Sequence, residues 1–255
     1  TAQLAALSIE QVNLGLTASQ VSQGLSTSQI AALTTAGIAA LSTAQVDALS
    51  SAQLANGLTT TQVGALTTDG IRTLGTNFAG FLDKKQSLLG TAQIAALTTE
   101  QVSLGLSTDQ VAALTTAQVA ALTQAQVVQG LTTAQVRAME TQDIAALTTG
   151  NLSALTTEQV RLGLSTDQLV ALTTNQVGAL STDQVQAIGS AEISKMEAQD
   201  IAALNTAAFA ALKTDQIQNL TTSQVASIAL RQMAALSTNQ VAKLQTHQLA
   251  ALTTA

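Results

Sequence analysis

The chain contains no cysteine, proline, tryptophan or tyrosine, and its 255 residues include one histidine and three phenylalanines. Without cysteine there is no disulfide and no thiolate metal centre, which is neutral on redox compartment and suits a secreted chain that crosses membranes without stray disulfides. His247 stands alone, so no Ser or Thr has an imidazole to activate it and no zinc ligand set can be assembled. Charge is sparse: nine basic and fifteen acidic residues give a net charge of −6, and Lys84–Lys85 is the only adjacent basic pair. That pattern offers no footprint for nucleic acid. No apolar run approaches the roughly 18–20 residues of a membrane span. The 46% hydrophobic content is almost all Leu, Val, Ile and Ala. A compact globular enzyme with so few large side chains would be unusual, and no catalytic constellation is present, so the chain is expected not to be an enzyme.

What is present is one eight-residue sentence, L-S/T-T-x-Q-V-x-A, repeated from near Thr1 to Ala255 and clearest in Leu106–Gly130. In Leu114–Leu122, LTTAQVAAL, Thr115 is followed three residues later by Gln118, the spacing of a capping box. Thr115 is then an N-cap, Thr116–Ala121 a short helix, and Leu122 the lead into the next cap, Thr123. One continuous helix is excluded, because eight residues advance the apolar pattern by about 80° at 3.6 residues per turn and no stripe forms. A strand is disfavoured because Leu114 and Val119, five apart, would face opposite sides. Acidic residues favour the fourth place (Glu10, Asp69, Glu100, Asp109, Glu158, Asp167, Asp183, Asp215) and basic ones the end (Arg72, Arg137, Arg161, Lys195, Lys243), matching the helix dipole.

The expected fold is therefore all-α: one solenoid or superhelix over 1–255, built of about thirty short capped helices, one per unit of eight or nine residues. Leu in the first place and Val, Ile or Leu in the sixth form its core. Nine-residue units end in Gly15, Gly24, Gly57, Gly105, Gly130 and Gly163, where glycine is expected to supply a left-handed stop. Residues 74–88 break the frame, with Phe78 in the glutamine place and Ala79 and Ser87 at core places. Phe78 and Phe81 are expected either to fill a local corner or to protrude as a contact for a neighbouring subunit. Blocks of units are duplicated: EQVSLGLSTDQV at 100–111 recurs as EQVRLGLSTDQL at 158–169, and METQDIAAL at 139–147 as MEAQDIAAL at 196–204.

Glu140 with Asp143, and Glu197 with Asp200, share a helix face and are weak candidates for Ca²⁺; no other cofactor is expected. They also stand where Thr and Gln stand elsewhere, which accounts for them as caps.

LTTAQVAAL resembles the first helix of the TAL-effector repeat; the second helix and base-reading loop of that family have no counterpart, and no nucleic-acid partner is expected. Across nearly the whole chain the sequence resembles the LTTxQVxAL octapeptide arrays of large secreted or surface proteins of Gram-negative bacteria, such as type I-exported adhesins and surface-layer-like proteins. That resemblance implies an extracellular structural role: a self-assembling subunit of a surface layer, filament or sheath, or the repetitive stalk of an adhesin. A module whose spaced threonines bind ice or glycan is the alternative of another class. Neither a signal peptide nor an initiating Met is present, so Thr1 is expected to be a processed or excised end, or the export signal to lie elsewhere. The chain opens and closes in mid-unit, and Leu252–Ala255 carries the Leu and cap Thr missing before Thr1. Thr1 and Leu252 are thus candidate residues of a head-to-tail contact between copies.

Far-UV circular dichroism is expected to be strongly helical, although one octapeptide is far below the roughly 12–15 residues an isolated helix needs. Leu114→Ala is expected to cost about 2–5 kcal/mol in chemical denaturation.

Overall fold

The computed structural model describes residues 2–75, 78, 81 and 85–252. The chain divides into two compact units, Thr1–Leu131 and Thr132–Ala255. Each is a solenoid of short helices. Among the described residues there are twenty-five α-helices, four π-helical turns and one 3-10 turn, and no β-strand.

Each octapeptide starts and stops its own helix. At Thr115 the backbone is extended (φ −76°, ψ 155°) and the hydroxyl accepts the Gln118 peptide N–H at 3.3 Å, while Gln118 Oε1 accepts the Thr115 N–H at 2.9 Å. Two of the N–H groups that a helix start leaves unpaired are thereby satisfied. The helix runs Thr116–Ala120 and closes with Leu122 N–H donating to the Val119 carbonyl at 3.1 Å.

A helix this short has no stability of its own, so its packing decides whether it exists. Each helix lies against the one three units further on: Thr35–Ala39 against Thr60–Ala65, and Thr174–Gly178 against Ala198–Ala203. The N-caps of such a pair are 24 residues apart (Thr173 and Glu197), and 25 where a nine-residue unit intervenes (Thr34 and Thr59). Three helices therefore close one coil, with their first-place and sixth-place side chains turned inward. Leu114 and Val119 are 4% and 0% exposed, and the same places are buried through the interior of both units.

The fifth-place glutamine is as deeply buried as the aliphatic core, which its role as a cap does not require. Its Oε1 serves its own N-cap, and its Nε2 donates to carbonyls four units back. Gln176, 2% exposed, donates to Ile144 O at 2.9 Å and Leu147 O at 2.8 Å. Gln216 and Gln224 reach Val185/Ile188 and Ile193/Met196 in the same way. The acceptors are the sixth-place carbonyl of one helix and the first-place carbonyl that follows it, which are among the groups a helix end leaves unpaired. Within each compact unit a ladder of buried amides thus joins the N-terminus of a regular helix to the corner beneath it.

The glycines of the long units do something other than stop the helix. No described glycine has a positive φ, so none is a left-handed cap. The extra residue is absorbed inside the helix: Gln53–Gly57, Gln126–Gly130 and Gln159–Gly163 are π-turns, closed by Leu58, Leu131 and Leu164 N–H donating five residues back. Widening the turn pushes the glycine onto the coil below. A Cβ on Gly130 would lie 3.1 Å from Val102 and one on Gly163 3.1 Å from Val136, and at Gly105 it would lie 2.8 Å from the Phe78 ring. At Gly24 the nearest atom would be 3.8 Å away.

Gly163→Ala is expected to cost about 1–3 kcal/mol through overpacking, with Gly24→Ala as a near-neutral control. Gln176→Met keeps the volume and removes both functions of the amide; it is expected to cost about 2–4 kcal/mol, since each buried group left unpaired costs about 1–3. Urea denaturation followed by circular dichroism measures all three.

Candidate functional site

The chemistry of this solenoid is concentrated in the fifth place, where a few units replace glutamine. Asp143 and Asp200 are the acidic replacements at full burial, 1% and 3% exposed. They lie in the third positions of the helices Thr141–Ala146 and Ala198–Ala203, whose N-caps are Glu140 and Glu197. Neither glutamate makes a side-chain cap bond; each instead accepts the side-chain amide of a neighbour, Gln142 at 2.7 Å and Gln199 at 2.6 Å. Both oxygens of Asp143 are buried without a hydrogen-bond partner. Burial pushes the Asp143 carboxyl above the usual carboxylate range; the nearby Glu140 peptide N–H, short of hydrogen-bond geometry, opposes this, and the Glu140 charge adds to it. Burial and then the charge of Glu197 raise Asp200. The sequence marks these four residues as acidic helix-start groups; the depth of Asp143 and Asp200 follows from the ladder, while Glu140 and Glu197 are exposed.

Lys85 is the opposite replacement. It is 8% exposed, and its ammonium donates to the Leu58 carbonyl, the acceptor that a fifth-place amide would take. The frame through residues 74–88 follows from this. Phe81 and Lys85 take the first and fifth places, while Ser87, expected in the core, is exposed. Phe78 and Phe81 are 1% and 0% exposed with ring centroids 6.2 Å apart. Both rings are buried in the interior of this chain. Ala79, Asp83 and Lys84 lie outside the described residues, as does Thr1; Leu252 ends the helix Thr246–Leu252 and is half-buried.

A cavity of about 450 Å³ lies beside Phe78, lined among others by Arg72, Thr98, Glu100 and Leu104. It holds no nucleophile with a base. Among the described residues no three His, Cys, Asp or Glu side chains converge, and no helix is long and apolar enough to cross a membrane. His247 is exposed on the last helix. The single ion pair among the described residues, Arg72–Asp69 at 3.1 Å, is exposed.

These features define an all-α repeat solenoid whose coils are held by buried side-chain amides. The chain belongs to the ALTTAQ repeat family, whose model matches residues 23–56, 128–157, 136–174, 162–190 and 193–230. No curated protein matches it. Among solved structures it is similar to the leucine-rich repeat-containing protein LegL7 from Legionella pneumophila, at 11% identity over 83% of this chain and 67% of that one, with a TM-score of 0.24.

The raised carboxyls have a consequence for pH. A group that binds its proton more tightly in the folded state stabilises the fold at low pH and loses that contribution as pH rises. In metal-free protein the thermal midpoint is expected to fall as pH rises from about 4, the unfolded value of an aspartate. The Asp143→Asn/Asp200→Asn double variant is expected to flatten that fall.

Proposed function

We propose that the chain is an extracellular structural scaffold, a self-assembling subunit of a bacterial surface layer, filament or sheath. The observation that carries this reading is the state of the ladder in the first and last described coils. Gln11, Gln20 and Gln29 each use Oε1 on their own N-cap, and their Nε2 groups have no acceptor among the described residues. The last ladder bonds run from Gln248 to Ile217 and Leu220. Beyond them the carbonyls of Val225, Ile228, Met233 and Leu236 receive no side-chain amide among the described residues. Within the described residues, the coil of Gln11, Gln20 and Gln29 offers donors and the coil of Val225–Leu236 offers acceptors, in the register that joins successive coils within each unit. A second copy stacked head to tail satisfies both, in a heterologous contact that propagates unless it closes into a ring.

The family supports a structural role, and the resemblance to surface and adhesin arrays supports an extracellular one. Ice or glycan recognition is less well supported, because the N-cap hydroxyls are engaged with their own backbone.

Light scattering and electron microscopy of the 255-residue chain over a concentration series test the proposal. Filaments or sheets are expected, weakened in a Gln11→Leu/Gln20→Leu/Gln29→Leu variant that keeps its helicity. A chain that stays monomeric at high concentration sinks self-assembly and leaves the adhesin stalk.

A further inference from the structure

The ladder places two backbone carbonyls opposite the fifth-place side chain of a regular unit, and at Asp200 that side chain is an acid; Asp143 is a second buried acid in the same place of its unit. The register of the neighbouring rungs identifies the carbonyls for Asp200. Gln216, Gln224 and Gln232 each donate to residues 31 and 28 positions earlier. The same offsets from Asp200 lead to Leu169 and Leu172. Their helix ends lie in the same compact unit, and Ala198–Ala203 packs on Thr174–Gly178, the helix that follows Leu172.

An ionised carboxylate facing two carbonyls is repulsive, and it lacks the amide hydrogens that make this rung attractive in other units. Among the described residues no cation is paired with it. The helices packed on Ala198–Ala203, Thr174–Gly178 and Thr222–Ala226, carry no charged residue; the charged groups nearest Asp200 in sequence are Glu197, Lys195 and Glu192, and the nearest to Leu169 is Asp167. Lys195 forms no ion pair with Asp200, since Arg72–Asp69 is the only such pair among the described residues. Asp143 presents the same problem in plain form, with both oxygens buried and without partners.

Two further observations point to the nature of the missing partner. At Lys85 the position normally held by a glutamine amide is taken by an ammonium, which donates to Leu58 O. The acceptor edge of the ladder therefore takes a cation. In both acidic units the N-cap has changed as well, to a glutamate that makes no cap bond and whose carboxylate is close enough to raise the Asp200 carboxyl. Carboxylates together with backbone carbonyls are the oxygen donor set of calcium.

We propose that the Glu-x-x-Asp units at 140–143 and 197–200 are calcium sites. The Asp carboxylate and the N-cap Glu carboxylate bind the ion from one coil, and at Asp200 the Leu169 and Leu172 carbonyls bind it from the coil below. At Asp200 the ion takes the place of the glutamine amide and pins two coils where the amide ladder is interrupted. Mg²⁺, which demands a smaller octahedral shell and keeps its waters, fits such a buried site poorly. The inference stands apart from self-assembly, since each site needs only one chain.

Isothermal titration of CaCl₂ into chelator-stripped protein at pH 7.5, in the monomeric concentration range, tests it alongside thermal melts with and without the metal. Two calcium ions per chain are expected, with dissociation constants on the order of 10⁻⁴–10⁻³ M, as in extracellular modules. The melting midpoint is expected to rise by several degrees with Ca²⁺ and little with Mg²⁺. Asp143→Gln/Asp200→Gln, which restores the amide rung, is expected to bind no calcium and to be stable without it. Glu197→Gln is expected to weaken one of the two sites about tenfold, because it removes one of only two charged ligands. Absence of binding at millimolar calcium overturns the proposal and leaves a protonated carboxyl as the rung; so does calcium binding that survives unchanged in the double Gln variant.

Discussion

One primary amide does two jobs in this fold, and the architecture depends on its doing both. Glutamine offers a carbonyl acceptor and an NH₂ donor at the end of the same side chain. In each regular unit the oxygen closes the start of its own helix and the nitrogen closes the end of a helix one coil below. Octapeptide helices have so many ends relative to their length that leaving these groups unpaired would outweigh the burial of one Leu and one Val per unit. The buried amide converts that liability into a specific link, and because its acceptors lie at fixed offsets it also sets the coil at three helices.

The parts of this arrangement that were legible in the sequence are those decided within a few residues. Thr115 and Gln118 announce a capping box because both partners lie in one turn, and Leu114 and Val119 announce a core because their spacing recurs. The other half of the glutamine was hidden, since its acceptors are 27 to 32 residues away and nothing local says how many helices make a coil. A signal was nevertheless present. A helix start is served by Glu as well as by Gln, yet Glu occupies the fifth place only at Glu192. That bias is for the NH₂ group, which only the ladder uses. The glycines misled for a related reason: Gly after a last turn usually marks a left-handed cap, but here it marks proximity to Val102 or Val136 on another coil.

The fifth place is therefore the one position at which the solenoid can be tuned without altering its frame. Gln supplies a neutral rung, Lys85 a cationic one in an irregular segment, and Asp143 and Asp200 an acidic one with an unmet demand for positive charge. Phe78 abandons the rung altogether, and space for its ring is kept by Gly105 on a later helix.

The duplicated blocks show what the ladder makes possible over evolutionary time. Residues 139–147 and their copy at 196–204 are seven units apart, as are 100–111 and 158–169, and seven is not a whole number of three-helix coils. Recombination has cut the array without regard to where a coil begins. This is tolerated because a rung asks only that some unit lie four places back, and every unit carries the same two acceptors. Gain or loss of any whole number of octapeptides is structurally silent, and a stray ninth residue is taken up by a π-turn at Gly24, Gly57, Gly130 and Gly163 and by a longer α-helix at Gly105, so the length of such a gene can drift by slippage while its product keeps folding.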